Sequence, residues 1–106
     1  MTKEFVFIYA KKRITRIQLA DILFVECYRF NMRIFCTNQV YDLRMSLGDL
    51  QSKLPPGMFL RIHRSFLIAV DHIGYYKKGI VYMGDYEIPV QKGKVGQFKA
   101  SLNMIN

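Results

Sequence analysis

The chain is poor in cysteine, poor in carboxylates and free of long apolar runs. Two cysteines, Cys27 and Cys36, stand in 106 residues. That is too few for the dense disulfide framework on which small secreted domains depend. Both lie in apolar, strand-like segments, so buried free thiols in a reducing cytoplasm are expected, with a disulfide between them as the alternative. No stretch is long and apolar enough to span a bilayer. The start, M-T-K-E-F-V-F-I-Y, does not have the form of an export signal, because Glu4 interrupts it and its apolar run is short. Low-complexity tracts and internal repeats are missing. The expectation is a cytoplasmic protein with no membrane partner.

Catalytic constellations are missing too. Asp21, Glu26, Asp42, Asp49, Asp71, Asp85 and Glu87 are scattered, with no close pair for acid–base work. His63, His72, Cys27 and Cys36 lack metal-ligand spacing, and His72 reads as a surface or boundary residue. His63 and Ser65 share a strand face, but no acidic orienter is near and no G-x-S-x-G elbow exists. Gly93 and Gly96 are too few for a phosphate-binding loop. A non-enzymatic protein without cofactor or metal is expected.

What is present is positive charge on an apolar scaffold. Lys and Arg number 16 against 8 Asp and Glu, a formal net charge of +8, while 51% of residues are hydrophobic and 14% aromatic. Such a chain folds as one domain, expected over residues 1–106 with its core at about 5–102. Its charge favours an acidic partner: nucleic acid, anionic lipid or an acidic protein.

The apolar pattern is mostly β. Phe5–Tyr9 is a β-branched and aromatic run, and Ala10–Arg13 a charged turn. Ile14–Leu19 alternates, with Ile14 and Arg16 on one face. Asp21–Tyr28 is nearly continuous, as for a strand buried on both faces. Arg29–Asn31 makes a tight connection. Met32, Ile34 and Cys36 then oppose Arg33, Phe35 and Thr37, and Val40–Arg44 follows a turn at Asn38-Gln39. One helix signal stands out: Ser46 as cap with Asp49 three residues on, Leu47, Leu50 and Leu54 along one face, and Pro55-Pro56 as terminator. Its apolar stripe belongs to the core. Gly84-Asp85 marks a hairpin between Ile80–Met83 and Tyr86–Val90, with Pro89 at a strand end or edge. A short C-terminal helix would bury Val95, Phe98 and Leu102. The fold class expected is mainly β: small antiparallel sheets with one short central helix and a short C-terminal one.

Basic residues concentrate in the connections: Lys11–Arg13, Arg29, Arg61 and Arg64, Lys77 and Lys78, Lys92 and Lys94. Loops on a rigid sheet are suited to entering grooves. A helix-turn-helix is not visible, so a DNA reader of this kind must use strands or loops. The segment Met58–Ile73 is the most informative. Two apolar pieces, anchored by Phe59, Ile62, Phe66 and Ile68, flank a donor-rich knuckle, Arg61–Ser65. Arg61 alternates with His63, and either shares its side or is tied to Asp71 or Glu87. His63 either points outward or bonds the backbone across the knuckle.

D-I-L-F-V-E-C (Asp21–Cys27), S-L-G-D-L (Ser46–Leu50), F-L-R-I-H-R-S-F-L-I (Phe59–Ile68), D-H-I (Asp71–Ile73) and I-P-V (Ile88–Val90) fall in order. Together they resemble the landmarks of the LytTR DNA-binding domain family, the output domain of LytR/AlgR-type bacterial response regulators. The resemblance runs from about Phe5 to Leu102, and its most specific element is R-I-H-R-S-F followed by I-P-V. It implies an elongated β fold and a sequence-specific, double-stranded DNA-binding transcription regulator. Its loops would enter successive major grooves of promoter repeats, with contacts across the intervening minor groove. It also implies three DNA-binding loops: Arg29–Arg33, containing Arg29, Asn31 and Arg33; the knuckle His63, Arg64 and Ser65; and the loop after I-P-V, containing Gln91, Lys92, Gly93 and Lys94. Arg64 would contact guanine with both ends of its fork or clamp a phosphate, Asn31 would pair with adenine, and Lys92 and Lys94 would meet phosphates. Where the family frequently has Ser and Arg after I-P-V, this chain has Gln91 and Lys92. Family members usually carry a receiver or sensor domain, expected here upstream or in trans, and a homodimer on DNA is a further expected partner arrangement. Two other readings are a single-strand or RNA-binding β-module, stacking bases on Phe30, Tyr75, Tyr76 or Tyr86, and a protein-interaction domain that pairs through the edge near Tyr86–Val90.

Overall fold

Short alternating segments joined by two-residue turns make hairpins, and the computed structural model is built almost wholly from them. It describes residues 4–106; the domain boundary expected at residue 1 lies outside the described residues. Strands β1 (Phe5–Ala10) and β2 (Arg13–Gln18) pair as a hairpin. Strands β3 (Ile22–Tyr28), β4 (Asn31–Cys36), β5 (Val40–Arg44), β6 (Phe59–His63) and β7 (Phe66–Ala69) form a sheet of order β5-β4-β3-β7-β6. Strands β8 (Tyr75–Lys77), β9 (Ile80–Met83) and β10 (Tyr86–Pro89) form a third sheet of order β10-β9-β8. Every pairing is antiparallel. Helices α1 (Leu47–Lys53) and α2 (Val95–Ala100) complete the chain. The molecule is elongated, with extents of 45 × 32 × 26 Å. No helix among the described residues is long and apolar enough to cross a membrane.

The five-stranded sheet sits in the middle, and its two faces differ. One face carries Val25, Cys27, Met32, Ile34, Leu67 and Phe59, covered by Ile8 and Ile17 of the first hairpin and by Leu47, Leu50 and Leu54 of the α1 segment. The α1 cap forms as its residues require: Ser46 Oγ accepts the Asp49 N–H at 3.1 Å. The other face carries Phe24, Leu60, Phe66 and Ile68, packed against Val81, Met83, Ile88, Val90 and Phe98. Phe24 stacks on Phe35 at 4.4 Å and meets Tyr86 edge-on at 5.0 Å.

That second face is covered only in part, which alters the reading of β3 as buried throughout. Its early residues are enclosed on both sides, but Glu26 and Tyr28 are exposed because the small sheet ends before reaching them. The bare half of the face lies beside the β3–β4 turn. Asn31 is not part of that turn but opens β4, opposite Tyr28. Strand β8 lies in G-Y-Y-K-K-G, a segment with no alternating apolar pattern of its own, and takes its hydrogen-bond partners from β9. Cys27 and Cys36 are buried and free. Burial raises both thiols, Cys36 to about 11 with a further push from the charge of Asp21, so both stay protonated at neutral pH. His72 is half-buried, with Nε2 2.6 Å from the Ala20 carbonyl oxygen.

Candidate nucleic-acid interface

The knuckle is the two-residue connection between β6 and β7, and each of its backbone polar groups has a partner. The Arg64 N–H donates to Gln91 Oε1 at 2.7 Å, and the Arg64 carbonyl accepts Arg61 Nη2 at 2.9 Å. The Ser65 N–H donates to His63 Nδ1 at 3.0 Å, and the Ser65 carbonyl accepts the Cys27 N–H at 2.9 Å. A β-bulge between Arg61 and His63 sets up this arrangement, by shifting the register before the turn. Backbone groups tied on all sides hold the turn in one conformation. The Arg64 side chain is left projecting into solvent.

His63 therefore braces the knuckle from within. Its accepting Nδ1 requires the tautomer with hydrogen on Nε2, and it meets Phe66 edge-on at 5.5 Å. Burial, with the neighbouring Arg64 charge, lowers its pKa below the ordinary 6.5. Arg61 is tied neither to Asp71 nor to Glu87, but to the Arg64 carbonyl.

The loop after I-P-V is fastened to the knuckle. Besides its side-chain bond to Arg64, Gln91 donates its main-chain N–H to the Ile62 carbonyl at 2.8 Å and accepts the Lys94 N–H at 2.8 Å. Gly93 adopts φ +93° in this turn, a conformation that a side chain would strain. Lys92 is exposed at its tip and Lys94 half-buried at its end.

Two grooves flank the knuckle. One, of about 690 Å³, occupies the bare half of the central sheet and brings together Asn31, Arg33, His63 and Ser65 with Glu26, Asp42 and Arg44. Its charges are mixed. Arg33 Nε pairs with Asp42 Oδ1 at 2.9 Å, both 60% exposed, so the pair is worth at most about 1 kcal/mol and exchanges readily for another partner. Arg44 Nη1 donates to Asn31 Oδ1 at a long 3.4 Å. Arg29 lies next to it, its guanidinium 5.7 Å over the ring of Tyr28, which lines the groove. The second groove, of about 460 Å³, lies between the knuckle and α2 and takes in Arg61, Arg64, Gln91 and Lys94.

Of the residues expected from the sequence, Asn31, Arg33, His63 and Ser65 line the first groove and Arg64, Gln91 and Lys94 the second, while Arg29 and Lys92 line neither. Asp42 and Arg44 were not marked. The signal for them was the cross-strand register, in which Arg33 faces Asp42 and Asn31 faces Arg44. Of the rings suited to base stacking, Tyr76 packs on Phe98, Tyr86 meets Phe24 and Phe35 while staying partly exposed, Tyr75 stacks on Tyr82 with its outer face exposed, and Phe30 is exposed in the β3–β4 turn.

Comparison with known proteins places this arrangement. The family described as LytTr DNA-binding domain matches residues 12–103. The transcriptional regulatory protein YpdB of Escherichia coli is 27% identical over 100 residues, covering 88% of this chain and 41% of that protein. The sensory transduction protein LytT of Enterococcus faecalis is 26% identical over 103 residues, covering 92% of this chain and 43% of that protein. The heme-containing CO-sensing transcriptional regulator RcoM 2 of Paraburkholderia xenovorans is 28% identical over 105 residues, covering 92% and 39%. The chain therefore spans about two fifths of the length of these relatives. A solved LytTr DNA-binding domain of a methyl-accepting/DNA response regulator from Bacillus cereus superposes with a TM-score of 0.81 at 19% identity, over 97% of this chain and 100% of the other, and shares the fold. With small antiparallel sheets, a bonded knuckle and the matched landmarks all in place, the chain belongs to the LytTr DNA-binding domain family.

Proposed function

We propose that residues 1–106 form one domain that binds double-stranded DNA sequence-specifically as the reading head of a bacterial transcription regulator, in the cytoplasm and without catalysis. The observation that carries this reading is the fully bonded knuckle: its backbone is held rigid while Arg64 points out between two solvent-filled grooves. A side chain presented from a fixed backbone loses little entropy on binding. The mixed donors and acceptors of Asn31, Arg33, Arg44 and Glu26 suit base edges in a major groove, while exposed Lys92 and Arg29 suit backbone phosphates. Neighbouring repeats would seat two copies, and a receiver or sensor domain, upstream or in trans, would supply the signal.

Selection of bound duplexes from a random library, followed by anisotropy titrations, tests the proposal. Expected are a recovered motif, preference for duplex over the single strand of the same sequence, and an affinity falling steeply with salt as counterions are released. Equal binding of selected and scrambled duplexes would remove sequence specificity, and preference for the single strand would remove the duplex reading.

A further inference from the structure

We infer that the outer edge of β2 takes an added strand: an extended segment of a second protein that carries a carboxylate and an apolar side chain two positions apart. The first hairpin has two unlike sides. Val6, Ile8 and Ile17 turn towards the central sheet. Phe5, Phe7 and Tyr9, with Ile14 and Arg16 across from them, turn to solvent; Phe7, Tyr9 and Ile14 are 62%, 67% and 73% exposed. Phe5 and Phe7 meet edge-on at 5.7 Å, and the Arg16 guanidinium lies 5.4 Å over the Phe5 ring. A contiguous apolar strip bordered by charge marks a surface that meets a partner.

The backbone is open at the same place. The Leu19 N–H donates to the Glu4 carbonyl at 2.8 Å, and this bond sets which cross-strand pairs of the hairpin are hydrogen-bonded. They recur at every second residue, at Val6–Ile17, Ile8–Thr15 and Ala10–Arg13. Ile14 and Arg16 fall in the other pairs, so their N–H and C=O groups point away from β1. Among the described residues these groups have no backbone partner. Strand β1 lies beside β5, which leaves β2 as the open side. A peptide strand brings backbone donors and acceptors at the matching spacing; a stacked base or a lipid headgroup does not. Charge then selects the peptide. Lys11, Lys12, Arg13 and Arg16 border the strip, exposed and in no ion pair among the described residues. Two copies joined through β2 would set these cations against one another, on domains that each carry +8. A carboxylate opposite Arg16 and an apolar side chain opposite Ile14 match the edge, and the two stand two positions apart on one face of the incoming strand.

Selection from a random peptide library with the wild-type domain as bait, followed by anisotropy titration of the recovered peptides, tests the inference. The recovered peptides are expected to share an acidic residue two positions from an apolar one, and to shift the Ile14 and Arg16 amide resonances. Ile14→Pro removes an outward N–H without breaking a hairpin bond, at an edge where proline is tolerated. Ile14→Val keeps the N–H and the branched side chain. Ile14→Pro should weaken peptide binding about tenfold or more, and Ile14→Val less than about threefold. Arg16→Glu should also cost about tenfold or more, and it carries the test alone if the proline variant does not match the wild-type melting temperature. No shared motif, or peptides that bind the folded edge variants like wild type, would overturn the inference. A wild-type dimer in sedimentation equilibrium that Arg16→Glu strengthens or Ile14→Pro abolishes would give the edge to a second copy and overturn it too. So would binding of poly(dT) or phosphatidylglycerol vesicles that Phe7→Ala abolishes while no peptide is recovered, because the strip would then serve bases or lipid.

Discussion

Gln91 Oε1 accepts the main-chain N–H of Arg64 at 2.7 Å, across 27 positions of sequence. This bond ties the loop before α2 to the knuckle between β6 and β7, and so joins two of the loops proposed to meet DNA. Gln91→Ala frees the Arg64 N–H and uncouples the loops. Duplex affinity should fall by about 1 kcal/mol, the net worth of one such bond, with little change in melting temperature because the bond is at the surface. Anisotropy and thermal unfolding on the same samples check this. An unchanged affinity would show that the loops dock independently.

Arg64→Ala should cost roughly 1–3 kcal/mol on the selected site if the guanidinium reads a base. Arg64→Lys separates the two roles, because an ammonium keeps the charge and loses the planar fork. A lysine variant that binds like wild type would make Arg64 a phosphate clamp. One that binds selected and scrambled duplexes alike would make it a base reader.

Acid should loosen the knuckle. Burial and the Arg64 charge hold the His63 pKa below its ordinary 6.5. As pH falls from 6.5 towards that lowered value, the unfolded chain takes up a proton that the folded one refuses, so stability is full above the window and falls within it. Once protonated, Nδ1 can no longer accept the Ser65 N–H. The Ser65 amide resonance should titrate below pH 6.5, and the urea midpoint should drop over the same range. His63→Gln should flatten both. A Ser65 amide indifferent to pH would show that the bond is dispensable.

The elements that local pattern controls were readable in advance, and those that tertiary contact controls were not. Ser46 and Asp49 announce α1, and the Gly84-Asp85 turn announces its hairpin, because caps and tight turns are set by adjacent residues. Strand β8 has only Tyr76 facing the core and needs β9 to exist. The run Asp21–Tyr28 reads as a strand buried on both faces, yet Glu26 and Tyr28 are exposed where coverage by the third sheet stops, and no local signal reports that. Basic loops mark the neighbourhood of the site. What joins them, Arg61 and His63 turned onto backbone groups and Gln91 reaching across from another loop, depends on a bulge and on distant chain segments.

Lys11 and Lys12 occupy the β1–β2 turn with φ of 54° and 61°, and Arg29 occupies the β3–β4 turn with φ of 60°. Left-handed backbone costs an ordinary L-residue roughly 1–2 kcal/mol, and turns with two such residues favour Asn-Gly. Replacing Lys11-Lys12 with Asn-Gly should therefore raise stability by about 0.5–1 kcal/mol, after the larger unfolded-state entropy of glycine is allowed for. Duplex affinity should change little, because that hairpin covers the face of the central sheet opposite the mixed groove. Arg29→Asn relieves the same kind of strain and also removes a cation from the edge of that groove, so it should stabilise the fold while weakening DNA binding. Urea unfolding and anisotropy on both variants decide the matter. If Arg29→Asn leaves affinity untouched, Arg29 lies outside the interface and its strained turn needs another explanation.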